Sequence, residues 1–140
     1  MKVEHDGRIP NLEWGNAETV DTAGRHWIVG YSPVLQATPL RFMPKDARAA
    51  GVAIKWRAHP PNDPEGTSGE KPPTVGRTVT LLTNEGGQFR LRFWTENKAD
   101  ATVLLLDKPG DFAAYGACLN HEWEAPTAST MVTICWTPEA

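Results

Sequence analysis

Between two strand-like runs of this 140-residue chain lies the stretch Gly110-Asp111-Phe112-Ala113-Ala114-Tyr115-Gly116-Ala117-Cys118-Leu119-Asn120-His121. A Pro-Gly-Asp turn that begins at Pro109 leads into it. A short apolar strand follows, then Gly116, and the stretch ends at His121. Gly and Asp favour tight turns because they tolerate backbone angles that most residues avoid. The stretch therefore predicts two successive strands, with His121 on the second.

The rest of the chain carries the same kind of signal. Short runs rich in β-branched and aromatic residues are bounded by Gly, Pro, Asn or Asp, which is typical of strands. We predict strands at 26–31, 39–42, 52–57, 76–83, 88–95, 102–106, 111–115, 121–125 and 130–136, with a helical turn at 45–50 and a hairpin turn at 84–87. This pattern predicts an all-β sandwich or barrel. We expect residues 1–24 to form an N-terminal arm and residues 25–140 to form a single domain.

Composition argues against several classes of function. The net charge is −3 and the isoelectric point is near 5.8, so the chain lacks the excess of Lys and Arg that binds nucleic acid. The first ten residues are polar, and no apolar run reaches the length of a membrane span. With no export signal, we expect a cytoplasmic protein that does not bind membranes. Its two cysteines, Cys118 and Cys135, are then reduced thiols.

The spacing of Gly110 and His121 resembles the second motif of the cupin superfamily. In that motif a Pro and a second Gly lie between the first Gly and a metal-binding His, and here those positions hold Gly116 and Cys118. Over roughly residues 25–137 the chain looks like a group of small, single-domain bacterial cupin proteins. The resemblance implies a cupin-type jelly-roll β-barrel with a pocket. It also implies a homodimer that pairs through sheet edges and exchanged N-terminal strands, for which 13–20 is the candidate.

The first cupin motif decides whether a metal is expected. It consists of a His, one residue, a second His, three or four residues and a Glu. His59 and Glu65 match its ends, but Pro61 occupies the second His position and has no ligating side chain. Under a second alignment the Glu position falls on Val79 or Thr80. A catalytic metal usually has three or more protein ligands, so we expect no metal and no other cofactor. If a metal is bound, the resemblance implies the ligands His59, Glu65 and His121.

The same motif places His121 on an inward-facing strand position, where we predict a catalytic acid or base. Imidazole titrates near neutral pH and serves in either role. The predicted ligand-binding residues are Trp56, His59, Tyr115 and Trp123, with the proline-rich loop 59–75 as the rim of the pocket. We interpret Cys118 as a small buried residue in the turn before His121.

Alternation along two strands assigns their faces. In 88–94 three apolar residues (Phe89, Leu91 and Phe93) oppose Arg90 and Arg92, and in 52–57 three others (Val52, Ile54 and Trp56) oppose Lys55 and Arg57. We favour apolar faces that line the interior and basic faces in solvent. A shared interior is thus expected for Ile54, Trp56, Phe89, Leu91 and Leu105. The alternative is an inward-facing basic pocket for an anionic ligand.

The predicted partner is a small molecule, whose identity the sequence does not give. The leading function is a cupin-type small-molecule pocket protein with metal-independent isomerase, lyase or cyclase chemistry. One alternative is a non-catalytic module that binds or senses a small molecule. Another is a metal-dependent cupin oxygenase with an unusual ligand set.

Overall fold

The structure is a computed structural model that describes residues 1–19, 53–67, 73 and 76–136. Several sequence predictions lie outside the described residues. They are the strands at 26–31 and 39–42, the helical turn at 45–50, the last residues of the arm at 20–24, and most of the C-terminal half of the predicted loop, at 68–72 and 74–75.

The described residues form nine strands and little helix. The strands are β1 (Lys2–His5), β2 (Leu12–Asn16), β3 (Ala53–His59), β4 (Arg77–Leu82), β5 (Phe89–Trp94), β6 (Thr102–Leu106), β7 (Asp111–Tyr115), β8 (Asn120–Glu124) and β9 (Ser129–Trp136). One helical turn, α1 (Pro64–Thr67), follows β3, and a 3-10 turn at Lys98–Asp100 precedes β6. No helix in this part of the chain has the length and apolar character needed to cross a membrane.

The strands form two antiparallel sheets in a jelly-roll arrangement. One sheet has the order β1-β6-β5-β8 and the other the order β2-β7-β4-β9-β3. From β6 onward the chain changes sheet at each connection, as a jelly roll requires. Within residues 1–19, 53–67, 73 and 76–136 the two sheets do not close into a barrel, and the all-β jelly-roll class expected from the sequence is confirmed. Strands β1 and β2, from the segment expected to be an arm, pair with β6 and β7 of the same chain.

Apolar side chains from both sheets form the core between them. Buried members of this cluster include Leu82, Phe93, Leu104, Leu106 and Met131, each at most 1% exposed. Burial of each such side chain contributes about 1.5–3 kcal/mol before the cost of ordering the chain is counted. The core fills one part of the interior, and the remaining space forms the cavity described below.

The turn at 84–87 is not a hairpin. Gly86 has the positive φ of 77° that a tight turn needs, as expected. However, β4 before the turn and β5 after it belong to different sheets. The hairpin prediction is therefore wrong. A tight turn makes the chain reverse locally, but which strands pair depends on partners elsewhere in the sequence.

The face assignment is correct for β5 and wrong for β3. On β5 the apolar residues point into the core, and Arg90 and Arg92 form ion pairs with Glu124 and Glu122 on the outer face. On β3, Ile54 and Trp56 are 72% and 67% exposed, and Lys55 and Arg57, although also exposed, are on the face that lines the cavity.

Two smaller expectations also fail. Leu105 lies directly across from Arg90 in the sheet and therefore shares the outer face, so it does not point to the common interior. Cys118 is exposed rather than buried. Its φ is 68°, the left-handed region where glycine is the usual residue, and the turn before β8 places its side chain at the surface.

Candidate functional site

A cavity of about 270 Å³ lies between the two sheets. Side chains from both sheets and from α1 surround it: Lys55, Arg57, His59, Glu65, Thr80, Phe89, Leu91, Tyr115, His121, Trp123, Met131 and Thr133. Small-molecule sites usually combine an apolar lining with a few polar groups that fix orientation. This cavity has more polar than apolar lining residues, and its polar groups are concentrated on one side, opposite an aromatic surface.

The inner face of the five-stranded sheet forms a polar wall. Lys55 on β3 lies directly across from Thr133 on β9, and Thr133 lies across from Thr80 on β4. The hydroxyls of Thr80 and Thr133 are hydrogen-bonded at 3.1 Å. Because residues directly opposite in antiparallel strands share a face, the ammonium and the two hydroxyls form one row across three strands.

The inner face of the four-stranded sheet forms an aromatic wall. Trp123 on β8 lies across from Leu91 on β5, and His121 lies across from Phe93. The rings of Phe89 and Trp123 are stacked, with their centroids 5.1 Å apart. Glu122 and Glu124 alternate with these residues and point outward, where they pair with arginines as described above. The cavity thus has one polar and one aromatic wall.

His59 ends β3 and is held by Asp63. Its imidazole is 8% exposed and packs on Trp123 with the ring centroids 4.6 Å apart. Nδ1 of His59 donates to Asp63 Oδ2 at 2.8 Å. A carboxylate only accepts, so this bond places the Nδ1 proton and leaves Nε2 as the acceptor nitrogen of the neutral ring.

Asp63 also starts the helical turn α1. Its second carboxylate oxygen accepts a hydrogen bond from the backbone N–H of Glu65 at 3.0 Å, as an N-cap residue does. The hydrogen bonds from His59 and from the Glu65 amide hold the pKa of Asp63 below its usual value, so it is ionised at neutral pH. Glu65 then pairs with Arg57 at 2.6 Å at the edge of the cavity.

Tyr115 and His121 lie at the other side of the cavity. Their ring centroids are 5.9 Å apart, and both contact Phe93. Burial raises the pKa of Tyr115, and this effect outweighs its hydrogen bond with Thr78. The phenol is therefore protonated at neutral pH and does not serve as a base.

The structure brings most of the predicted site residues together. His59, Tyr115, His121 and Trp123 line this cavity, and so does Glu65. Trp56 does not, because its side chain lies on the opposite face of β3 and is largely exposed. Within the described part of the predicted rim, residues 59–67 and 73, the segment Pro64–Thr67 forms α1 rather than an open loop.

Three groups of this site are not among the predicted site residues. Asp63 carries a local signal, since Asp before a Pro favours the start of a helix and the next helical residue is Glu65. Lys55 was considered only as the alternative to a solvated face. Thr80 and Thr133 carry no signal in the sequence, because only strand pairing makes them neighbours.

The described residues contain no group of three or more His, Cys, Asp and Glu side chains placed to hold a metal ion. Two of the carboxylates near His59 already have partners, since Asp63 binds His59 and Glu65 binds Arg57. The implied set of His59, Glu65 and His121 therefore does not form a metal centre in this arrangement.

No protein-family model matches the chain, and no curated protein matches it. Among solved structures it is similar to Streptomyces albus HEPD with its substrate 2-hydroxyethylphosphonate and Fe(II) bound, with a TM-score of 0.50 and 13% sequence identity. The match covers 65% of this chain and 19% of that chain. HEPD is an enzyme of cupin fold, and together with the two antiparallel sheets this similarity shows that the chain has a cupin-like fold. The fold implied by the spacing of Gly110 and His121 is confirmed.

Proposed function

We propose that this protein binds a small molecule in the cavity between the sheets and converts it by proton transfer, without a metal, in an isomerase, lyase or cyclase reaction. The observation that carries the proposal is one cavity with a polar wall opposite an aromatic wall that includes His121. Because ligand sites combine apolar contact area with a few converging polar groups, this cavity fits a bound small molecule better than a core-filling role for the same side chains.

His121 is the proposed acid or base. Its imidazole lines the cavity beside Tyr115, and imidazole exchanges protons readily near neutral pH. Tyr115, whose buried phenol stays protonated, lies beside His121 as a second polar group at this end of the cavity. His59, held by Asp63, orients the ligand from the other end.

Native mass spectrometry of untagged protein tests the binding step. We expect a co-purified small molecule, and we expect Thr133→Trp to remove it by filling the cavity. Thr130→Trp is the matched control, because Thr130 lies on the opposite face of β9 and its variant leaves the cavity open. Loss of the small molecule from both variants, or from neither, contradicts the proposed site.

Deuterium exchange tests the chemical step. The molecule released from the protein is incubated with fresh protein in heavy water. Wild-type protein is expected to introduce deuterium at a carbon of the ligand, and His121→Gln is expected to lose this activity while it still binds the ligand. A ligand recovered without deuterium from wild-type protein identifies the alternative, a non-catalytic binding or sensing module.

A metal-dependent reaction is the second candidate, favoured by the Fe(II) in the structurally similar HEPD. Elemental analysis of untagged protein distinguishes the metal-dependent reaction from the metal-free reaction. Stoichiometric iron, zinc, nickel or manganese contradicts the metal-free proposal, and its loss in both His59→Gln and His121→Gln identifies the ligands.

Two further parts of the proposal concern the protein as a whole. We propose a homodimer, for which β3 offers a strand that pairs, among the described residues, with β9 alone. We also propose a cytoplasmic location, which agrees with the free thiols of Cys118 and Cys135. Fractionation of the host cells tests the location.

A further inference from the structure

The charges around the cavity do not balance. The lining contains two cationic side chains, Lys55 and Arg57, and one carboxylate, Glu65. Arg57 is engaged, since its guanidinium binds Glu65 at 2.6 Å and lies 3.6 Å from Asp63. Asp63 is in turn paired with His59. Lys55 is exposed, lines the cavity and forms no ion pair with a carboxylate of the described residues.

The surroundings of Lys55 favour an anion with acceptor oxygens. Thr133 lies directly across from Lys55, and Thr80 is the next residue in the same row. The two hydroxyls share one hydrogen bond, in which one of them donates, so the other keeps its O–H for a ligand. An ammonium beside a hydroxyl donor is a good partner for a carboxylate, because hydrogen bonds to charged groups are stronger than neutral ones.

The opposite wall constrains the rest of the ligand. Phe89 and Trp123 stack on each other and present an aromatic surface across from the polar row. Flat apolar groups gain from contact with such a surface through burial and ring stacking. The volume of about 270 Å³ lies at the small end of ligand sites, which limits the ligand to a compact molecule.

We propose that the ligand is a small planar organic carboxylate, whose carboxylate lies against Lys55 and the Thr80–Thr133 hydroxyls and whose apolar part lies against Phe89 and Trp123. This inference rests on the function proposed above and adds the class of substrate. It favours a monoanion over a dianion, since one ammonium is available and Arg57 is already neutralised by Glu65.

Three probes of nearly the same shape test the class: benzoate, benzamide and phenylphosphonate. Binding to the full chain is measured by isothermal titration calorimetry at low ionic strength. We expect benzoate to bind about three- to tenfold more tightly than benzamide, an effect of the size expected for one partly exposed charge pair. Lys55→Gln is expected to remove this preference and leave benzamide binding unchanged. Lys108→Gln, a change at an exposed lysine that does not line the cavity, is expected to retain it.

The other outcomes overturn the inference in distinguishable ways. Equal binding of benzoate and benzamide, or a preference that survives Lys55→Gln, overturns the carboxylate and leaves the cavity function intact. Tighter binding of phenylphosphonate overturns the monoanion. If no probe binds and native mass spectrometry still finds another small molecule in the cavity, the substrate class is wrong and the proposed function stands. If no probe binds and nothing co-purifies, both proposals fail.

Discussion

Replacing Gly66 with alanine tests how tightly α1 packs on the aromatic wall. The N–H of Gly66 donates to the Asp63 carbonyl within α1, and the residue faces Trp123 on β8. A Cβ atom at this position would lie 2.5 Å from Trp123 Cε3 and 2.9 Å from the Trp123 carbonyl oxygen. Ordinary carbon contacts are about 3.5–4.0 Å, so the indole must move by roughly 1 Å.

The expected change in the free energy of unfolding is the difference between two opposing effects. Overpacking a well-filled site costs about 1–3 kcal/mol, and alanine returns about 0.5–1 kcal/mol because it restricts the unfolded chain more than glycine does. The two effects leave a net cost of about 0–2.5 kcal/mol, and because the added Cβ meets the Trp123 backbone as well as its indole, we expect Gly66→Ala to lower the free energy of unfolding by about 1–2 kcal/mol. Trp123 contacts His59 and Phe89, so the displaced indole also narrows the cavity.

Urea unfolding followed by circular dichroism measures this effect without relying on tryptophan fluorescence. The control is a double-mutant cycle with Trp123→Leu, which removes the indole that the new methyl group contacts. We expect Gly66→Ala to cost less in the Trp123→Leu background, with a coupling energy of about 1 kcal/mol. If Gly66→Ala is as stable as the wild type, or if the two substitutions are additive, the packing of α1 on Trp123 is wrong.

Two further predictions concern acid stability and assembly. The hydrogen bonds from His59 and the Glu65 amide hold the folded-state pKa of Asp63 below its usual value of 3.8, so its contribution is complete well above that pH and is lost as the pH falls through the folded pKa. We expect the difference in unfolding free energy between wild type and Asp63→Asn to shrink as the pH falls below about 4, whereas a difference that still grows below that pH contradicts the pairing. For assembly, light scattering is expected to give twice the 15.4 kDa chain mass, and Trp56→Glu on the exposed face of β3 is expected to shift the protein toward monomer; a monomeric wild type refutes the dimer.

The sequence alone determined the class of fold and the inward-facing strand that carries His121 and Trp123. Alternation along 88–94 was sufficient to assign the two faces of β5. Its arginines form ion pairs on the outer face, whereas its apolar side chains are buried in the core. The spacing from Gly110 to His121 placed His121 and Trp123 on an inward-facing strand. Both signals are local, since they depend on residues a few positions apart.

The structure decided which face of β3 lines the cavity. Alternation separates Ile54 and Trp56 from Lys55 and Arg57, but it does not say which pair faces inward. Pairing with β9 fixes the answer, because Lys55 lies across from the inward-facing Thr133. The structure also decided that His59 pairs with Asp63 and that Lys55 forms one row with two threonines. Local sequence specifies the two faces of a strand, whereas register between strands that are distant in the chain determines which side chains meet in the site.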